Sequence, residues 1–131
     1  MARRPHGGRT AVTVCHGCCC GTLRKHPDTD SRAQRERLLA LQRQLPQQVR
    51  VQVSDCLDAC AQSNVMLVRP SAAGRRKGAR PVWLGQVLDE PTVDAVAQWL
   101  RAGGPGVAEL PASLQPHVFR PSRHAQAAAG T

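Results

Sequence analysis

Leu38, Leu41 and Leu45 recur at i, i+3 and i+7, with Arg32, Arg35, Glu36 and Arg43 filling the positions around them. That is one apolar stripe on a helix of 3.6-residue period. The spacing predicts a helix over 31–45, capped by Asp30 or Ser31 and stopped by Pro46. A second helix is predicted over 91–101, with Val93, Val96, Ala97 and Leu100 on one side. Asp89–Glu90–Pro91 opens it, with acidic side chains at the positive end of the helix dipole and Pro in the first turn; Gly103 and Gly104 close it. Four runs read as strands: TAVTVC at 10–15, the alternating VRVQV at 49–53, VMLVR at 65–69 and PVWLGQV at 81–87. The basic stretch PSAAGRRKGAR at 70–80 is then the tip of a hairpin, and 56–62 has room for one helical turn. Trp83 and Trp99 fall on core positions.

The resulting order is β-α-β-β-β-α. The first two strands are expected to pair in parallel through the crossover helix, with an antiparallel hairpin after them. This is a small α/β sandwich of the thioredoxin type, a mixed sheet with two main helices. Residues 1–9 read as a flexible basic arm and 10–104 as the folded domain. From 105 to 131 the chain is rich in Pro, Ala and His without sustained periodicity, and is expected to be a disordered tail.

Composition narrows the function classes. The 131 residues carry 18 Lys+Arg against 9 Asp+Glu, a formal charge of +9, which suits an acidic partner. Sixteen of the 18 cations are Arg, a skew that GC-rich codon usage also produces. With no Tyr, two Trp and one Phe there are few aromatic faces for bases to stack on, so nucleic acid is not the expected partner. No run approaches the ~20 apolar residues of a membrane span, and the N-terminus has no apolar signal-peptide core. The expected location is cytoplasmic, with reduced thiols, and no membrane partner is expected.

Those thiols are the chemistry of the chain. Cys15, Cys18, Cys19 and Cys20 lie in VCHGCCCG, and Cys56 and Cys60 in SDCLDAC. Each group directly follows a predicted strand. If the two strands are parallel neighbours, the segments leaving them start side by side, where open α/β sheets place their sites. Clustered thiolates are soft ligands that hold zinc or an iron–sulfur cluster. A third reading is a dithiol oxidoreductase using Cys15 and Cys18 as C-x-x-C, but that motif normally opens a helix, and Gly21 and Pro27 follow it here. His16 is a further possible ligand, outnumbered by six thiols. Asp55 and Asp58 flank Cys56 and read as loop-capping residues. No Ser/His/Asp set, phosphate loop or dinucleotide fingerprint is visible, so no catalytic role beyond electron transfer is expected.

SDCLDACAQSNVMLVRP followed by PVWLGQVLDEPTVDAVAQWLRAGGPG resembles the thioredoxin-like [2Fe–2S] ferredoxins, among them the small peripheral iron–sulfur subunit of respiratory NADH dehydrogenases. The likeness covers about 10–104. In that family a C-x3-C precedes a short apolar strand, a V-W-x-G-x-V strand and a helix ending in Gly; in the dehydrogenase subunit the first pair is C-x4-C. The resemblance implies Cys15, Cys20, Cys56 and Cys60 as ligands of a [2Fe–2S] cluster, and a one-electron carrier or accessory redox subunit rather than an enzyme. Arg75, Arg76 and Lys77, three adjacent cations expected to be exposed at the hairpin tip, read either as a solvated face or as a docking patch for an acidic redox protein partner. The resemblance allows a homodimer. Three features depart from the pattern: the additional Cys18 and Cys19, the longer basic loop at 70–80, and Ser63–Asn64 where the family has Gly-Pro. The alternative is a non-redox zinc or other metal protein on the same fold.

Overall fold

The computed structural model describes residues 8–15, 31–54, 65–87 and 89–120. In chain order these form β1 (Thr10–Cys15), α1 (Ser31–Gln44), β2 (Val49–Ser54), β3 (Met66–Arg69), α2 (Ala72–Arg76), β4 (Val82–Leu84) and α3 (Glu90–Ala102), with a 3-10 helix at Ala112–His117. The strands make one four-stranded sheet in the order β2-β1-β3-β4. β1 and β2 pair in parallel, while β3 is antiparallel to both β1 and β4. The expected order of strands and main helices is therefore observed, with α2 and the 3-10 helix added. The helical turn expected at 56–62 lies outside the described residues.

The core is built where the patterns predicted it. Val12, Val14, Met66, Val68 and Leu84 come from the strands. Leu38 and Leu41 of α1 and Val93, Val96, Trp99 and Leu100 of α3 pack against them. Leu45 is partly buried at the edge of this cluster. Each fully buried Leu or Val side chain contributes about 1.5–3 kcal/mol relative to exposure. Trp83 is buried as well, at 4% exposure, so both tryptophans are structural.

Both sheet edges are closed in part. On β2 the backbone N–H of Val51 donates to Gln42 Oε1 at 2.6 Å, and that of Val49 donates to Leu45 O at 3.0 Å. These bonds occupy donors that an open edge would offer to another strand. β4 is shorter than the run 81–87 suggested. It ends at Leu84 because Gln86 adopts φ +54°, which takes the chain out of the extended conformation.

Beyond β4 the structure corrects the expected tail. Residues 105–120 belong to the fold, and the boundary at Gly104 moves. Leu114 is fully buried and joins the core cluster. The edge of β4 is closed by Gly85 N donating to His117 O at 2.8 Å and Phe119 N donating to Trp83 O at 3.1 Å. The Trp83 and Phe119 rings meet edge to face, with centroids 6.0 Å apart. The indole N–H of Trp99 donates to Ala108 O at 3.1 Å. Pro111 and Pro116, which sequence reasoning counts against order, sit at the start and inside of the 3-10 helix. Their fixed φ lowers the entropy lost on ordering this segment. Residues 121–131 lie outside the described part.

The expected basic arm is likewise shortened at its inner end. Gly8 O accepts from Ala72 N at 2.9 Å, and Arg9 Nη1 donates to Pro46 O at 3.2 Å. Residues 1–7 are outside the described part.

The hairpin tip at 70–80 is not a simple loop. It contains α2, whose N-terminus is capped by Ser71 accepting from Gly74 N at 3.1 Å. Arg76 and Lys77 are exposed, but Arg75 is half-buried and donates to Pro70 O at 3.3 Å, so the three cations are not equally open to solvent. Gly74 is where α2 meets the segment after α3. A Cβ there would run into the carbonyl oxygen of Pro105 and come within 3.1 Å of Pro70 Cβ. Gly74→Ala is therefore expected to destabilise by about 1–3 kcal/mol, the usual cost of overpacking, read as a lower urea midpoint. An unchanged midpoint would mean that residues 105–106 are not seated against α2.

Candidate functional site

Cys15 is the last residue of β1, and its Cα partner in the parallel pair is Ser54, the last residue of β2. Two neighbouring strands thus end level, about 4.8 Å apart. The first leads directly into the Cys18–Cys20 segment and the second into Cys56, two residues after Ser54. Two trans peptide links hold the Cys56 Cα within about 7.6 Å of that of Ser54. On the other side of β1, Val14 pairs with Met66 at the start of β3. The sheet thus has Ser54 on one side of the end of β1 and Met66 on the other, and these two residues flank Cys15.

Cys18, Cys19, Cys20, Cys56 and Cys60 lie outside the described residues, as do His16, Gly17, Gly21, Asp55 and Asp58. Of the four expected ligands the structure places the backbone of Cys15. Among the described residues no three His, Cys, Asp or Glu side chains come together.

The support beneath this end is well defined. α1 runs back from it and α3 begins at it, on the same side of the sheet. Val14, Met66, Leu84 and Val87 are buried under it. Gln34, in the first turn of α1, is 7% exposed and donates from Nε2 to Val87 O at 3.1 Å. That bond ties α1 to the connection between β4 and α3. Sequence reasoning passed over Gln34, yet it stands four residues before Leu38 and so continues the buried stripe.

Asp89 caps α3 as expected, its Oδ1 accepting from Thr92 N at 2.9 Å. Hydrogen bonding from Thr92 holds the Asp89 carboxyl below its usual range, with a smaller pull from His117. A depressed folded pKa means that this cap stabilises fully above the unfolded value of about 3.9 and is lost as pH falls through the lower folded value. Asp89→Ala is expected to cost about 1 kcal/mol at neutral pH. The cost should shrink in acid, below the folded pKa. Urea midpoints of the two proteins at neutral and low pH test this, and a difference independent of pH would remove the carboxylate from the account.

Among the described residues no helix is long and apolar enough to cross a membrane. No protein-family model matches the sequence, and no curated protein matches it. Among solved structures it is similar to the wild-type thioredoxin-like [2Fe-2S] ferredoxin from Aquifex aeolicus. The TM-score is 0.50 at 21% identity, covering 86% of this chain and 98% of that one. That likeness is one of fold, and with its four-stranded mixed sheet and its helices the chain has the thioredoxin-like α/β fold.

Proposed function

We propose that this chain is a one-electron carrier holding a [2Fe–2S] cluster through Cys15, Cys20, Cys56 and Cys60. The observation that carries the reading is the level ending of β1 and β2 at Cys15 and Ser54, which starts both cysteine segments from one place. The donor set fits the group: thiolates are the ligands such clusters take. The solved neighbour is by its description a [2Fe-2S] protein of the same fold.

Bound there, the cluster would accept and release one electron. The chain's own residues do the rest. The paired strand ends fix where both thiol segments begin, and Gln34 braces the adjoining helix. Arg24 and Lys25, close in sequence to Cys20, supply positive charge that favours the reduced, more negative state. A role as an accessory subunit of a larger redox enzyme, like the small subunit of NADH dehydrogenases, and a cytoplasmic setting belong to the same proposal.

Anaerobically purified protein is expected to show visible charge-transfer bands, with two irons and two sulfides per chain. Colourless protein carrying one tightly held zinc would replace this reading with the metal-binding alternative on the same fold.

The proposed acidic redox partner docks at the cysteine end. The loop at 70–80 joins the end of β3 to β4, at the level where β1 starts, so the length of β1 (about 17 Å) separates it from Cys15. Arg32, exposed in the first turn of α1, stands at the cysteine end instead. Arg32→Ser is expected to slow electron transfer at low salt, while Arg76→Ser with Lys77→Ser leaves it unchanged. The difference should fade as salt rises. The opposite pattern in stopped-flow measurements would return docking to the hairpin tip.

A further inference from the structure

Among the described residues, Arg32, Arg35 and Arg37 of α1 stand nearer Cys15 with carboxylates around them, while a second group of cations has few. The start of β1, the ends of α1 and α3, and α2 all lie at the end of the sheet away from Cys15. There stand Arg9, Arg43, Arg76, Lys77, Arg80 and Arg101, all exposed except the half-buried Arg9. Asp89, Glu90 and Asp94 belong to the start of α3 at the other end, and Asp94 is already paired with Arg37. Glu36 lies in the second turn of α1. Among the described residues Glu109, beside Ala108, is the carboxylate nearest in sequence to the basic end.

Within this end lies an open cleft of about 310 Å³, the size of a small-ligand site. Arg9 and Arg101 line it together with Thr10, Ser71, Leu100 and Val107. Arg101 is held in place by a 2.7 Å bond from Nη2 to Gln44 Oε1. That partner is a neutral amide oxygen, so it brings no opposing charge to the guanidinium. A guanidinium has five N–H donors, which leaves Arg101 able to present a fork to an anion. The carbonyls at the end of α3 would oppose an anion, but several are occupied. Trp99 O accepts from Gly104 N, Leu100 O from Gly103 N, and Gly103 O from the Thr10 hydroxyl. No aromatic side chain lines the cleft, so a stacked base has no platform. Val107, 43% exposed, offers apolar contact beside the charges.

We propose that this cleft binds a phosphate-bearing ligand, the phosphate on Arg9 and Arg101 and a short organic portion against Val107. The proposal is independent of the redox reading, because the cleft and Cys15 lie at opposite ends of the sheet.

Calorimetric titration of the full chain with sodium pyrophosphate tests a free phosphate as the source. Sedimentation with phosphatidylglycerol vesicles, against phosphatidylcholine vesicles, tests a lipid headgroup. Saturable binding in one arm is expected, weakening with salt. Arg101→Gln, at an exposed position that leaves the far-ultraviolet spectrum unchanged, should weaken it about tenfold, as expected for a lost charge-assisted bond. Arg32→Gln, at the cysteine end, should leave it unchanged. The arm that responds identifies the source. No saturable binding in either arm, or equal effects of the two substitutions, would overturn the proposal.

Discussion

Cys56→Ala is expected to yield a colourless protein with iron at background, while the sheet still forms. Cys56 stands two residues beyond Ser54, and the neighbouring thiol in its segment is Cys60, itself a proposed ligand. No spare thiolate exists on that side, so the loss cannot be made good locally. Cys60→Ala should behave in the same way. The first segment differs, because Cys18 and Cys19 stand beside Cys20. Cys20→Ala is expected to disturb the visible spectrum; an unchanged spectrum and stability there would assign the ligand to a neighbour. Among the described residues the core that supports β1 and β2 is built from side chains such as Val12, Val49 and Leu41, which lie outside both cysteine segments in the sequence. Far-ultraviolet circular dichroism of Cys56→Ala should therefore retain the mixed α/β signal, with a lower melting temperature from the lost tie between segments. Full visible bands in Cys56→Ala would sink the assignment of the second pair.

The reach of the sequence can be traced through the same residues. The stripe of Leu38, Leu41 and Leu45 located α1 because helical burial repeats over short distances. Asp89–Glu90–Pro91 located the start of α3 because capping is a local bond, here Asp89 to Thr92. The level ending of the two strands that precede the cysteine segments was legible too, since each is a β-prone run and a crossover helix makes such runs parallel. Gln34 was missed because a buried amide looks polar in sequence; only its bond to Val87 O, 53 residues away, explains its burial. Arg75 was read as exposed because nothing local distinguishes it from Arg76, whereas α2 turns its guanidinium back towards Pro70 O. Choice among Cys18, Cys19 and Cys20 was carried by family spacing, because adjacent residues of one segment share every local signal. The segment after Gly104 was misread for the same reason that Gln34 was. Its anchors, Leu110, Leu114 and Phe119, follow no period and find their partners in β4 and α3.

That last segment provides the other large expected effect. Truncation after Gly106 should destabilise the domain severely. Leu114 is fully buried in the core cluster, with Ala108 and Leu110 packed against it. Deleting a buried leucine side chain alone costs about 2–5 kcal/mol. The truncation also removes the Ala108 carbonyl from the Trp99 indole and uncovers the edge of β4 at Trp83 and Gly85. A buried donor left without a partner costs a further 1–3 kcal/mol or so. Domains of this size commonly have about 5–15 kcal/mol in total, so the shortened chain is expected to be partly unfolded and, with β4 uncovered, to aggregate. Leu114→Ala separates the parts. It keeps the backbone bonds of the segment and should lose about 2–5 kcal/mol, read as a lower urea midpoint with an unchanged slope. If Leu114→Ala and the truncated chain both melt like the full protein, the segment is not part of the folded unit. If the truncation is severe and Leu114→Ala mild, the stabilisation comes from closing the β4 edge rather than from filling the core.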